Sequence, residues 1–269
     1  MFGKMSFLDR YLYAPPELYE YPSDLYSENV KGSFTQTVVD IHEKSHVPCI
    51  GSDHEGPSCL ILYFHGNNEN LKDVGWFLNL LAEQFDGEAI AMEFAGYYAG
   101  GGKTSTASTF TMADQFTSAA IRIESLYRNR PILLVGYSLG AAIALHVADL
   151  HRRDAFPHGI LLLAPFYSAL SVVLAHSYTS LMLAPAYYPL DALVARTPVL
   201  RQNHRICIAH GGSDEVVSVA HGRMLASIAF RVNRSRSRYV EIPDASHLTI
   251  RLEASVYEDA RSLFFEAAQ

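Results

Sequence analysis

An α/β fold with a mostly parallel central sheet and helices on both faces is predicted by three observations. Short apolar runs recur at Ser58–His65, Glu88–Phe94, Ile132–Val135, Ile160–Ala164 and Arg205–Ala209, and such runs mark strands covered on both faces. Between them, apolar residues recur at helical spacing, as in Val74, Phe77, Leu78 and Leu81, or Phe116, Ala120, Ile123 and Tyr127, so that strands and helices alternate. Third, Gly136-Tyr137-Ser138-Leu139-Gly140 ends one strand and opens a helix. It fits G-x-S-x-G, in which a sharp turn forces the serine into a strained, exposed position and a Cβ on either glycine would collide with the neighbouring helix or strand.

The 269 residues, 49% hydrophobic and 18% charged, are enough for one large core. A net charge of −7 argues against a nucleic-acid partner held through phosphates. Cys49, Cys59 and Cys207 are too few and too odd in number for a disulfide framework, which points to a reducing, cytoplasmic setting. No apolar signal-like run follows Met1, and Phe2 is incompatible with myristoylation, so no secretory or lipid signal is expected. Residues 1–32, with five tyrosines among Pro15, Pro16 and Pro22, read as an extended arm ahead of one domain spanning 33–269.

Two motifs invite other chemistries. His42-Glu43-Lys44-Ser45-His46 matches the zinc pattern H-E-x-x-H, which works only where a helical turn brings both histidines to one face. The β-branched run Phe34–Ile41 before it and Pro48 after it predict a hairpin, so no metal site is assigned. Gly102-Lys103-Thr104 resembles the end of a phosphate loop, but Tyr97 stands where that loop needs glycine. Lys103 is left as a contact for an anionic group on a Gly-rich loop, and no cofactor is expected.

The candidate site residues fall at strand ends. Ser58–His65 runs into Gly66-Asn67, where elbow folds place one oxyanion-binding N–H; Asn67 is assigned that donor, Leu139 the other, and His65 the support of the loop. Asp214 follows Arg205–Ala209 and is the candidate to orient a histidine, with Glu215 as the alternative. His247 follows the last strand, Tyr239–Ile242, and is the expected base ahead of a closing helix through Ile250, Leu252, Val256, Leu263 and Phe264. The order Ser138, Asp214, His247 is the one an elbow fold uses. Arg231–Arg238 reads as a basic loop, solvated or in peripheral contact with an anionic membrane.

Gly159–Leu190 contains no charged side chain, yet Pro165 and Pro185 interrupt it, so it is no spanning helix. Residues 167–197 are read as a short cap insertion, and the competing reading is a helix that completes the core. In the cap reading Leu170, Val173, Leu174, Leu181 and Leu183, with Tyr137 beside the serine, form an acyl-binding surface.

Together His65-Gly66-Asn67, Gly136-Tyr137-Ser138-Leu139-Gly140, His210-Gly211-Gly212-Ser213-Asp214-Glu215-Val216 and Ser246-His247 resemble the serine hydrolases of the α/β-hydrolase superfamily over about residues 33–268. Ala164-Pro165-Phe166, the short cap, and Asp214-Glu215-Val216-Val217 followed by His221-Gly222 are similar to the depalmitoylase-like, acyl-protein thioesterase-like branch. The chain departs from that branch at Glu93-Phe94-Ala95-Gly96-Tyr97-Tyr98-Ala99-Gly100 and lacks the cysteine-rich N-terminal anchor of its animal members. The resemblance implies an α/β-hydrolase fold and hydrolysis of a fatty-acyl ester or thioester, on a lipid or an acylated protein, by Ser138, His247 and Asp214. A small-ester carboxylesterase, a serine peptidase and a catalytically silent binding scaffold are the alternatives.

Overall fold

The computed structural model describes residues 19–20, 34–42, 45–52, 58–71, 73–94, 98–99, 130–150, 157–168, 171–172 and 204–265; for 19–20, 34–42, 45–52, 98–99 and 150 it describes the backbone alone. The chain divides into two compact units, Met1–Ile132 and Leu133–Gln269.

In the first unit, β1 (Tyr19–Glu20) pairs in parallel with β6 (Tyr98–Ala99). β2 (Phe34–His42) and β3 (Ser45–Ser52) form an antiparallel hairpin, β3 pairs with β5 (Gly87–Met92), and β5 runs parallel to β4 (Cys59–Phe64). The H-E-x-x-H stretch is the tip of that hairpin, as its flanking pattern predicts, so its histidines are not on successive helical turns. α1 (Gly75–Phe85) carries the chain from β4 to β5 and buries Phe77, Leu78, Leu81 and Phe85, with the Tyr63 ring edge-on to Phe77 at 5.0 Å. It stops at Asp86, whose backbone is left-handed at φ 51° and returns its N–H to the Ala82 carbonyl. Every residue of β4 is buried, and each such aliphatic or aromatic side chain contributes about 1.5–3 kcal/mol relative to exposure.

The second unit is wholly parallel: β7 (Ile132–Tyr137), β8 (Gly159–Leu163), β9 (Ile206–Gly211) and β10 (Ser237–Ile242) pair in that order. α2 (Leu139–Leu150) is apolar apart from His146 and Asp149 and is buried from Leu139 to Ala148, as a helix covered on every side must be. α3 (Val219–Asn233) starts behind Ser218, whose hydroxyl accepts the Ala220 N–H.

Two sequence expectations are corrected here. Arg231–Arg238 is no loop: Arg231 lies in the last turn of α3, Arg234–Arg236 form a 3-10 turn and Ser237 opens β10. The negative end of the α3 dipole favours that cation, and arginine is a good helix former. The closing helix begins later than its apolar pattern suggests, because Thr249–Leu252 form a separate 3-10 turn, Glu253 is extended, and α4 runs only from Ala254 to Phe265.

Candidate active site

The elbow is dictated by close packing. β7 is buried along its length, and a Cβ on Gly136 would come within 2.5 Å of the Ala141 Cα. No rotamer relieves a clash with backbone, so the strand can turn directly into α2 only with glycine there. Ser138 takes the turn at φ 52°, a left-handed conformation that an L-residue adopts at a cost of about 1–3 kcal/mol. Its N–H donates to the Leu163 carbonyl at 2.9 Å, and its own carbonyl receives the Ala141 N–H at 3.0 Å. The serine is thus held at the head of α2, where Leu139 contributes one of the first-turn N–H groups that have no acceptor within the helix.

Two loops at the carboxyl ends of β9 and β10 are stitched to each other. Gly212 N–H donates to the Ile242 carbonyl at 2.8 Å, Ser213 N–H to the Ala245 carbonyl at 3.1 Å, and the Ser213 hydroxyl to the Pro243 carbonyl at 3.0 Å. Gly211 is required at this seam because a Cβ there would overlap the Ala245 carbonyl. The stitching brings Asp214 Oδ2 to 2.7 Å from His247 Nδ1, whereas Glu215, the alternative in sequence, is exposed. Asp214 Oδ1 accepts the N–H groups of Val216 and Val217 at 2.9 and 2.7 Å. Burial pushes the Asp214 carboxyl up, but hydrogen bonding from His210 and His247, with the Val217 N–H, outweighs it and holds the group well below the usual carboxylate range. A carboxylate opposite Nδ1 requires that nitrogen to carry the hydrogen, which leaves the Nε2 lone pair as the proton acceptor. Tyr137, the residue before the serine, ties the elbow to this histidine: its ring lies 5.1 Å from the His247 ring and its hydroxyl donates to the His247 carbonyl at 3.2 Å. The Arg251 guanidinium covers the same tyrosine ring at 4.2 Å.

In the first unit, the loop after β4 is built around His65. Its Nε2 lies 3.0 Å from Glu93 Oε1, its Nδ1 2.8 Å from the Gly66 carbonyl, and its ring stacks on Phe94 at 3.8 Å. Glu93 also accepts the N–H groups of Leu71 at 3.2 Å and Phe94 at 3.0 Å. The Gly66 N–H is taken by Glu69 at 2.7 Å, so Gly66 is not an oxyanion donor and the half-buried Asn67 follows it.

Reasoning from sequence overlooked two side chains, Glu93 and His210. Each carried a signal: Glu93 directly follows β5, His210 lies near the end of β9, and both are polar side chains closing a mainly apolar run. Tyr137, expected against substrate, has its hydroxyl engaged with the His247 carbonyl and is 3% exposed. Leu170, Val173, Leu174, Leu181 and Leu183 lie outside the described residues, as do Lys103 and most of the cap insertion 167–197. The arginines between Arg231 and Arg238 sit where β10 begins, at the opposite end of that strand from His247. Among the described residues, no helix is long and apolar enough to cross a membrane.

Comparison with known proteins bears on the family and the fold. The alpha/beta hydrolase family profile matches residues 61–210, more than half of the chain. Protein L404 of Acanthamoeba polyphaga mimivirus, itself described as an alpha/beta hydrolase, is 21% identical over 245 residues, covering 89% of this chain and 86% of its own. Among solved structures, the esterase Pf2001 of Pyrococcus furiosus superposes with a TM-score of 0.64 at 16% identity over 93% of this chain and 97% of that one. Mouse alpha/beta hydrolase domain-containing protein 10 superposes with a TM-score of 0.60 at 15% identity over 84% and 97%. These likenesses share the fold expected from the sequence, and the chain belongs to the α/β hydrolase family.

Proposed function

We propose that this hydrolase cleaves fatty-acyl ester or thioester bonds through an acyl-enzyme formed on Ser138. The observation that carries the reading is the 2.7 Å contact between His247 Nδ1 and Asp214 Oδ2, together with the elbow that holds Ser138 at φ 52°. His247 Nε2 takes the Ser138 proton as Oγ attacks the acyl carbonyl, and the tetrahedral oxyanion is received by the N–H groups of Leu139 and Asn67. The imidazolium returns its proton to the departing alcohol or thiol while Asp214 stabilises its charge. Water, activated by the same imidazole, then releases the acid. No step calls on a metal or cofactor.

The preference for a long acyl group rests on the charge-free stretch Gly159–Leu190 and on the similarity to the depalmitoylase-like branch. The name of the Pyrococcus furiosus neighbour as an esterase agrees with ester hydrolysis. Buried free thiols at Cys59 and Cys207 agree with a reducing, cytoplasmic setting.

A fluorophosphonate probe tests the nucleophile. Wild type should label and Ser138→Ala should not; folded wild type that never labels would make the chain a silent binding scaffold. An ester series then tests the substrate class. Each methylene buried against Leu174 and its neighbours is worth up to about 0.8 kcal/mol, roughly fourfold, so kcat/KM should climb from acetyl to octanoyl p-nitrophenyl esters. Leu174→Asp should flatten the climb. A flat wild-type series would favour a small-ester carboxylesterase or a peptidase.

A further inference from the structure

Two histidines converge on one carboxylate oxygen. His210, near the carboxyl end of β9, is fully buried. Its Nε2 lies 2.8 Å from the Val217 carbonyl and 3.3 Å from Asp214 Oδ2, the oxygen that His247 Nδ1 reaches at 2.7 Å. A carbonyl and a carboxylate are both acceptors, so Nε2 carries the hydrogen and shares it in a fork whose longer arm points to Asp214. On the other side of the ring, His210 Nδ1 is buried without a hydrogen-bond partner among the described residues. Gly222 of α3 packs against it so closely that a Cβ there would sit 2.6 Å away. A proton on Nδ1 would be buried with nothing to receive it, so the site holds His210 in its neutral Nε2–H tautomer.

Val217 closes the arrangement. Its N–H binds Asp214 Oδ1 at 2.7 Å while its carbonyl receives His210, so His210 holds both the carboxylate and the residue that holds the carboxylate's other oxygen. We propose that His210 is a positioning residue for the Ser138 chemistry, a donor through Nε2 that fixes Asp214 Oδ2 where His247 Nδ1 meets it and takes up part of its charge. This rests on the roles given above to Ser138, Asp214 and His247. Without the His210 donor, the Oδ2 charge would fall wholly on His247, bind a second proton on that ring more tightly, and silence the base at higher pH. Other charged and titratable groups surround the pair: Glu241 opposite His210 in the β9–β10 register, Arg223 paired with Glu241, His221 on α3, Arg251 over Tyr137, and the exposed Glu215. Substituting His210 leaves all of them in place, so a shift on substitution belongs to His210.

His210→Phe keeps a ring in the space and removes the donor. At pH 7 its kcat should fall about tenfold with KM within about twofold of wild type, and the acid limb of kcat/KM against pH should move up by about half a unit or more. His210→Gln, whose amide can donate to the same two oxygens, should bring the limb back toward wild type. An unmoved limb in folded, active His210→Phe overturns the proposal. Should that variant fail to fold, Gly222→Ala decides, because alanine favours the helix yet crowds Nδ1: the same upward movement is expected, and its absence overturns the proposal. Ring 15N shifts give a readout independent of activity. At pH 7 His210 should show the signature of an imidazole with its hydrogen on Nε2 and none on Nδ1, and a hydrogen on Nδ1 overturns the proposal. Absence of fluorophosphonate labelling in wild type would instead defeat the Ser138 reading, whereas labelling with an unmoved limb defeats only the role of His210.

Discussion

His65 and Glu93 form a fully buried ion pair, with Nε2 3.0 Å from Oε1 and no exposed surface on either side chain. Both ring nitrogens of His65 face acceptors, Glu93 and the Gly66 carbonyl, so both carry hydrogen and the ring is an imidazolium. Peptide N–H groups, from Leu71 and Phe94, donate to the two Glu93 oxygens in turn.

The pair makes stability depend on alkaline pH. Burial pushes the His65 pKa down, but the Glu93 hydrogen bond and charge outweigh it and raise it above its ordinary value. A raised folded-state value means stabilisation that is complete below the unfolded pKa of about 6.5 and lost as pH rises through the folded one. Urea denaturation from about pH 6 to 10 should therefore show wild type weakening as pH rises. Glu93→Gln strands a buried imidazole and should cost about 3–5 kcal/mol at pH 6, with a shallower alkaline slope. Equal slopes in the two proteins would remove the charged pair from the account.

Hydrolysis should depend on the Asp214 to His247 contact through tautomer choice. Asp214→Asn presents an amide that can donate to Nδ1, so the proton moves to Nε2 and the base is lost; kcat should fall by roughly 10⁴. Ser138→Ala and His247→Ala should each lose several orders of magnitude in steady-state ester hydrolysis. Retained turnover in His247→Ala would move the base elsewhere. Chelators should leave wild type active, and zinc-dependent recovery after chelation would return attention to His42 and His46.

Gly136→Ala should be among the most damaging single-methyl additions. Its Cβ meets the Ala141 Cα and N at 2.5 and 2.7 Å and the Gly140 carbonyl at 2.5 Å, and none of these can rotate away. Either β7 or α2 must shift, at a cost of about 3 kcal/mol or more, and the shift moves Ser138. Thermal denaturation and fluorophosphonate labelling rate should fall together; an unperturbed midpoint would mean that the turn has slack.

The parallel strands and the elbow were legible because burial on both faces leaves uninterrupted apolar runs, and because the tight turn leaves glycine as the only residue that fits. Asp214 and His247 could be placed by strand end and chain order. Their engagement was not readable, since it depends on Gly212 and Ser213 hydrogen bonding to a loop some 30 residues later. Glu93 and His210 escaped for a related reason: each gains its meaning from partners on another strand or loop, and no periodicity encodes such a partner. The arginine run was misread as a loop because a charged, serine-rich helix end and a loop have the same composition.

The placement of those arginines bears on how a lipid substrate would be reached. Arg231, Arg234 and Arg238 are exposed before or at the start of β10, while His247 follows its far end, and six strand residues at about 3.3 Å each separate the two by roughly 20 Å. Arg238 is also partly neutralised by Asp259 at 3.4 Å. An anionic surface held by these arginines would lie at the wrong end of the strand to deliver an acyl chain to Ser138. The loops after β9 and β10 instead expose Val216, Leu248 and Leu252 at 50%, 63% and 62%, close in sequence to Asp214 and His247 and accompanied by the acidic Glu215 and Asp244. Were the proposed acyl substrate held in a bilayer, each leucine of this rim that enters a zwitterionic surface would be worth about 1 kcal/mol or more. With a long-chain ester embedded in phosphatidylcholine vesicles, Leu248→Asp combined with Leu252→Asp should lower hydrolysis about tenfold while soluble acetyl ester hydrolysis stays near wild type. Replacing Arg231, Arg234 and Arg238 by glutamine should leave both rates unchanged. A loss confined to the arginine variant would reverse the orientation argued here, and equal losses on both substrates in the leucine variant would place those side chains in the site itself.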